Sequence, residues 1–100
     1  MTVKKDHLKE LPPWTVDKAH QIAAGEGLII NDDHLQILFL AREFFRDYGF
    51  SPSMRPLCKV VTASLGTEKG RSIYLNKLFL GSPAKRVATL AGLPKPKNCI

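Results

Sequence analysis

The sequence predicts a mainly α fold, a compact bundle of about five short helices with a flexible carboxyl-terminal arm. Three observations predict it. Glycine and proline cut the chain into short segments, with stops at Gly25-Glu26-Gly27, Gly49, Gly66, Gly81 and Gly92. Between the stops, apolar residues recur at three- and four-residue steps, the repeat of one helix face. Several segments also open on Ser, Thr, Asn or Asp, whose side-chain oxygens satisfy the free amides of a first helical turn.

The elements follow in order. Residues before Trp14 are polar and frame either a small, vestigial hairpin or a frayed end. Thr15 caps a helix running through Ala24. Leu28-Ile29-Ile30 is a short extended connection. Asn31 and Asp32 cap a second helix that runs to Tyr48 and stops at Gly49. Its apolar positions 37, 38, 41, 44, 45 and 48, widened by Leu35, Phe39 and Leu40, mark it as the central core element. Ser51-Pro52 reads as a helix start. The stripe behind it, Met54, Leu57, Cys58, Val61 and Leu65, ends at Gly66, and Pro56 sits early enough to be tolerated. Thr67 to Phe79 reads as a further helix weakened by Gly70. Gly81-Ser82-Pro83 opens the last one, which buries Ala84, Val87, Ala88 and Ala91. The organisation is thus a helical domain over 1–92 and an arm over 93–100.

Composition narrows the function classes. The chain has 100 residues, 44% of them hydrophobic, enough for one domain with a small core. No apolar run approaches the roughly 20 residues of a bilayer span, and the charged start lacks a secretory apolar region, so the expectation is a cytoplasmic protein with no membrane partner. The net charge of +6 is unevenly placed: residues 1–50 carry −2 and residues 51–100 carry +8, with Glu68 the single acid of that half. Such asymmetry serves either a solvated surface or an acidic partner. His7, His20, His34, Cys58 and Cys99 show no metal-ligand spacing, and no cofactor or metal is expected. The lone histidines read as surface residues. Gly66 to Ser72 lacks the spacing and lysine of a phosphate loop. No hydrolase elbow is present. A helix-turn-helix over 51–79 is generic in small helical domains, but it keeps a nucleic-acid-binding module as an alternative.

The two cysteines differ. Cys58 lies on an apolar stripe and reads as a small buried hydrophobe. Cys99 is the penultimate residue of the stretch Leu93-Pro94-Lys95-Pro96-Lys97-Asn98-Cys99-Ile100, whose prolines block helix and ladder formation. Extended at ~3.1 Å per residue, that arm carries the thiol roughly 20 Å from the domain. Lys95 and Lys97 mildly favour the thiolate, the attacking species, and the terminal carboxylate opposes them.

Ser82-Pro83-Ala84-Lys85-Arg86, then Ala91-Gly92-Leu93-Pro94-Lys95-Pro96 and the penultimate Cys99, resemble the carboxyl-terminal signature of the DsrC/TusE family. Phe50-Ser51-Pro52 with Arg55, Gly66 to Gly70, Tyr74-Leu75, Leu78-Phe79, Trp14, Glu26-Gly27 and Phe44 to Tyr48 resemble it in the same order, over roughly residues 8–100. The resemblance implies a helical domain with a mobile arm, its hairpin shortened or absent because this chain starts late. It implies that Cys99 carries persulfide sulfur as a sulfurtransferase-type carrier, from a TusBCD-like donor complex toward a tRNA 2-thiouridylase with its tRNA. A DsrC-like paralogue that acts in or regulates dissimilatory sulfur metabolism, with a sulfite reductase-type partner, is the alternative. DsrC proper has a second redox cysteine where this chain has Ala88, so the resemblance departs there and implies no internal disulfide. Lys85 and Arg86 are candidates for holding a persulfide anion, with Lys95 and Lys97 as supporting residues.

Overall fold

The computed structural model describes residues 5–97, as a 3-10 turn at His7–Glu10 followed by five helices. These are α1 (Val16–Gly25), α2 (Asp32–Tyr48), α3 (Met54–Leu65), α4 (Ser72–Leu78) and α5 (Pro83–Leu90). Among the described residues there is no strand. Where a hairpin or a frayed end was expected before Trp14, the chain turns under the Asp6 carboxylate, which accepts from the Leu8 amide at 3.0 Å.

Helix α1 starts where expected, with Thr15 Oγ1 accepting from the Lys18 amide at 3.2 Å. Leu28 and Ile30 are buried while Ile29 between them is 91% exposed, the alternation of an extended segment. Asn31 then caps α2 through its side-chain oxygen, which accepts from the Asp33 amide at 3.0 Å. The reciprocal bond comes from His34, in the position where Glu or Gln is usual. Its Nδ1 accepts from the Asn31 amide at 3.0 Å, which leaves Nε2–H to donate to the Leu78 carbonyl at 2.8 Å. His34 is therefore a buried tie between α2 and α4, packed edge-on to Phe79 at 5.2 Å, and not the surface residue expected.

Helix α3 begins at Met54, later than the Ser51-Pro52 signature implies, and no side chain caps it. Residues 67–70 form a turn, so α4 is shorter than expected. The turn packs so closely on α3 that a Cβ at Gly70 would lie 1.8 Å from Thr62 Oγ1 and 2.8 Å from the Thr62 backbone nitrogen. Helix α5 opens with Pro83 in its first turn, but Ser82 at the cap is left-handed (φ 47°) and makes no cap bond.

The core gathers Ile37, Leu38, Leu57, Val61, Leu75, Phe79, Val87 and Leu90, all essentially inaccessible. Each such side chain contributes roughly 1.5–3 kcal/mol on burial. Helix α5 is a hub that packs against α1, α2, α3 and α4, and α2 packs against the 3-10 turn, α3 and α5. Ala84, Ala88 and the following Ala91 make it thin, so four neighbours can approach one short helix. The radius of gyration is 12.9 Å, against about 13 Å for a compact domain of this length. No helix among the described residues is long and apolar enough to cross a membrane.

Candidate functional site

Helix α5 leads directly into residues 93–97, and the carbonyls from Val87 to Ala91 at its end are all hydrogen-bonded. Gly92 sits at φ 70°, in the left-handed region. It turns the chain so that the Leu93 amide donates to the Ala88 carbonyl (2.9 Å) and the Gly92 amide to that of Thr89 (3.3 Å). This paired closure is common where glycine ends a helix. It leaves the carbonyls of Leu90 and Ala91, which a helix end cannot satisfy for itself. The Trp14 indole N–H donates to Leu90 O at 2.9 Å, and Arg42 Nη1 donates to Ala91 O at 2.6 Å.

The two donors also hold each other, because the Arg42 guanidinium lies 4.6 Å above the Trp14 ring. Burial pulls the Arg42 pKa down, with Asp6 partly opposing, and a guanidinium stays protonated under such pressure. A Cβ at position 92 would come within 2.8 Å of the Trp14 ring. Gly92 is thus required both by its φ angle and by the close approach of the indole.

Past Gly92 the chain lies against the body. Leu93 and Pro96 are buried, while Pro94, Lys95 and Lys97 are exposed. The Ser51 hydroxyl donates to the Pro94 carbonyl, and Ser51 is itself only 5% exposed. Prolines offer no N–H, so a carbonyl acceptor and apolar contact are what this segment has for docking. Next to this contact, Phe44, Tyr48 and Phe50 form an aromatic cluster, with Phe44 centred 4.7 Å from Tyr48 and 5.3 Å from Phe50.

The candidate residues from the sequence fall in separate places. Cys99 lies outside the described residues. Lys95 and Lys97 project from the root of the arm. Lys85 and Arg86 do come together, beside an open cavity of about 380 Å³ that Glu26, Ser82 and Thr89 also line. Arg86 Nη1 is held by Glu26 Oε1 at 2.8 Å, tying α5 to the end of α1. Its Nε is buried without a partner among the described residues. The Arg86 charge is therefore largely committed to Glu26, and Lys85 is the exposed cation of the pair. Cys58 is half-buried rather than buried, and that burial still raises its pKa and keeps it a neutral thiol. Ala88 is 2% exposed on the core face of α5.

Trp14, Arg42 and Ser51 were not legible as a set. Arg42 gave one usable signal: a cation between Ala41 and Phe44-Phe45 on an apolar stripe needs a partner. A family model described as DsrC like protein matches residues 1–100. The chain belongs to the DsrC-like family. It is 40% identical over 99 residues to the sulfurtransferase TusE of Salmonella choleraesuis, covering 99% of this chain and 91% of that relative. The NMR structure of DsrC from Allochromatium vinosum superposes with a TM-score of 0.80 at 39% identity, covering 88% of this chain and 79% of that one. The crystal structure of the oxidized gamma-subunit of the dissimilatory sulfite reductase from Archaeoglobus fulgidus gives 0.74 at 27% identity, over 100% of this chain and 92% of that one. This member of the DsrC-like family thus combines a five-helix body with an arm whose root is bonded to three different parts of the chain.

Proposed function

We propose that this DsrC-like protein is a sulfur carrier that loads persulfide sulfur onto Cys99 and passes it along a relay toward tRNA 2-thiouridine synthesis. The observation that carries this reading is the near-full-length similarity to the sulfurtransferase TusE, joined to a penultimate cysteine on an arm rooted in the hub helix. The step is a displacement at sulfur. The Cys99 thiolate attacks the terminal sulfur of a donor R–S–SH, the donor S–S bond breaks, and R–S⁻ leaves as the Cys99 persulfide forms. A second thiolate then attacks the outer sulfur of that persulfide by the same route. No net oxidation occurs, and the step needs no cofactor or metal.

The partners in this reading are a TusBCD-like donor complex and a tRNA thiouridylase with its tRNA, all in the cytoplasm. Lys85 supplies a cation that attracts the persulfide anion, and Lys95 and Lys97 raise the thiolate fraction of Cys99. The test is genetic and chemical together. A strain lacking this protein loses 2-thiouridine; the wild-type chain and Cys58→Ser restore it, and Cys99→Ser does not. Restoration by Cys99→Ser would contradict the proposal.

A second reading is favoured by the likeness to two solved structures, one of them the gamma-subunit of a dissimilatory sulfite reductase. It places the chain beside a sulfite reductase-type partner. Against it stands Ala88, which offers no second thiol on α5. A deletion strain with unchanged thiouridine and impaired sulfur oxidation or sulfite reduction would favour it. Direct nucleic-acid binding by the basic half is distinguished by steeply salt-dependent binding of tRNA to the isolated chain.

A further inference from the structure

We infer that the extended segment Leu28-Ile29-Ile30, together with the Lys85 and Arg86 cavity, docks an extended segment of a partner protein. That segment sets an apolar residue beside Ile29 and, two or three residues further on, a carboxylate against Lys85 and Arg86. The inference stands apart from the sulfur-carrier reading, since no cysteine enters it. Three observations support it. First, Ile29 is 91% exposed, more than any other large apolar residue described. The Leu28 amide donates to the Ala23 carbonyl at 2.8 Å. The amides of Ile29 and Ile30 and the carbonyls of residues 28–30 have no hydrogen-bond partner among the described residues. An extended stretch with unpaired backbone groups is a template for an added strand. Second, an open groove of about 430 Å³ lies along this stretch, lined by Ala24, Gly27, Leu28, Ile29 and Ile30 with His20 at its edge. Third, the charged cavity opens across the same turn, for Glu26 lines the cavity and Gly27 the groove.

The cavity is short of an anion. Lys85 is exposed and has no ion pair among the described residues. Glu26 holds Arg86 through Nη1, while the Arg86 Nε is buried without a partner there. Two cations thus face one carboxylate, and a buried donor is unmet. The spacing suits a strand. Three residues separate Glu26 from Ile29, so their Cα atoms lie within roughly 10 Å. A strand rises about 3.3 Å per residue, which brings the second or third residue past Ile29 to the cavity. The two halves together decide the occupant. A nucleic acid would satisfy the cations, but it brings neither a strand backbone to residues 28–30 nor an aliphatic side chain to Ile29. A protein segment brings all three, and the +8 charge of residues 51–100 draws an acidic one.

The probe is a blocked hexapeptide, Val-Thr-Val-Thr-Glu-Glu, titrated into the isotope-labelled full chain and followed by amide chemical shifts. The Ile29, Ile30 and Lys85 amides should move together along one binding curve. Replacing both glutamates of the peptide with glutamine, or Lys85→Gln in the protein, should weaken binding about fivefold. The two changes together should cost little more than either alone, because they remove the same interaction. Ile29→Ser should weaken both peptides alike. Both side chains are exposed, so neither variant disturbs the core. No shift at millimolar peptide, or equal binding of the acidic and amide peptides, would overturn the site. Concentration-dependent movement of the Ile29 amide without peptide would assign the face to a second copy of the chain and overturn it too. So would an RNA duplex that moves the Lys85 amide where the peptide does not.

Discussion

Changing Trp14 to phenylalanine keeps a ring beneath Arg42 but removes the N–H that bonds Leu90 O together with part of the packed indole surface. The expected cost is about 1–3 kcal/mol in urea unfolding, a neutral hydrogen bond plus the lost packing. Arg42→Met should cost about 2 kcal/mol, because it strands the Ala91 carbonyl that a charged donor now satisfies. Since the guanidinium also stacks on the indole, the two effects should couple by about 0.5–1 kcal/mol in a double-mutant cycle. Cys58 gives a second prediction at this scale. Burial favours its neutral form, so its folded pKa lies above its unfolded value. Any stability from this group is present below the unfolded value and is lost as pH rises through the folded one. In a Cys99→Ser chain, alkylation of Cys58 at pH 8 should be slower in the folded protein than in urea, and the gap should narrow as pH rises.

At the scale of elements, His34 is the most informative residue. It closes the cap of α2 and donates to the last turn of α4, so His34→Ala opens a buried gap and leaves two backbone groups without partners. We expect a loss of about 2–4 kcal/mol, measured by denaturant unfolding. His34→Gln, which retains an acceptor and a donor, should recover part of it. The helix starts at Thr15 and Asn31 and the stops at Gly49, Gly66 and Gly92 were legible because caps and left-handed glycines are local signals. The roles of Ser51 and His34 were not, because each depends on a partner more than forty residues away. A hydroxyl before a proline carries the same local signature whether it caps a helix or holds an arm. Likewise Ile73, apolar in the sequence, is 61% exposed; periodicity over a seven-residue helix is too short to fix which face turns inward.

For the whole molecule, the basic second half bears on the proposed partners rather than on the fold. Lys95 and Lys97 are exposed and pack against nothing that the core needs. Replacing both with glutamine should leave stability within about 0.5 kcal/mol. It should slow association with an acidic donor surface more than it speeds dissociation, and added salt should erase the difference. The hub position of α5 explains why the arm belongs at this end of the chain. The chain leaves the body at Gly92 from an element that packs against each of the other four helices. How much of the candidate site the sequence disclosed follows the same division: the thiol at position 99 could be read directly, while the bonds from Trp14, Arg42 and Ser51 to residues 90–94 required the folded body. Incubation with a cysteine desulfurase and cysteine, followed by intact-mass analysis, tests the central claim most directly. The carrier reading predicts one added sulfur, removed by a reductant, present in Cys58→Ser and absent in Cys99→Ser. Loading that survives in Cys99→Ser, or that depends on Cys58, would contradict it.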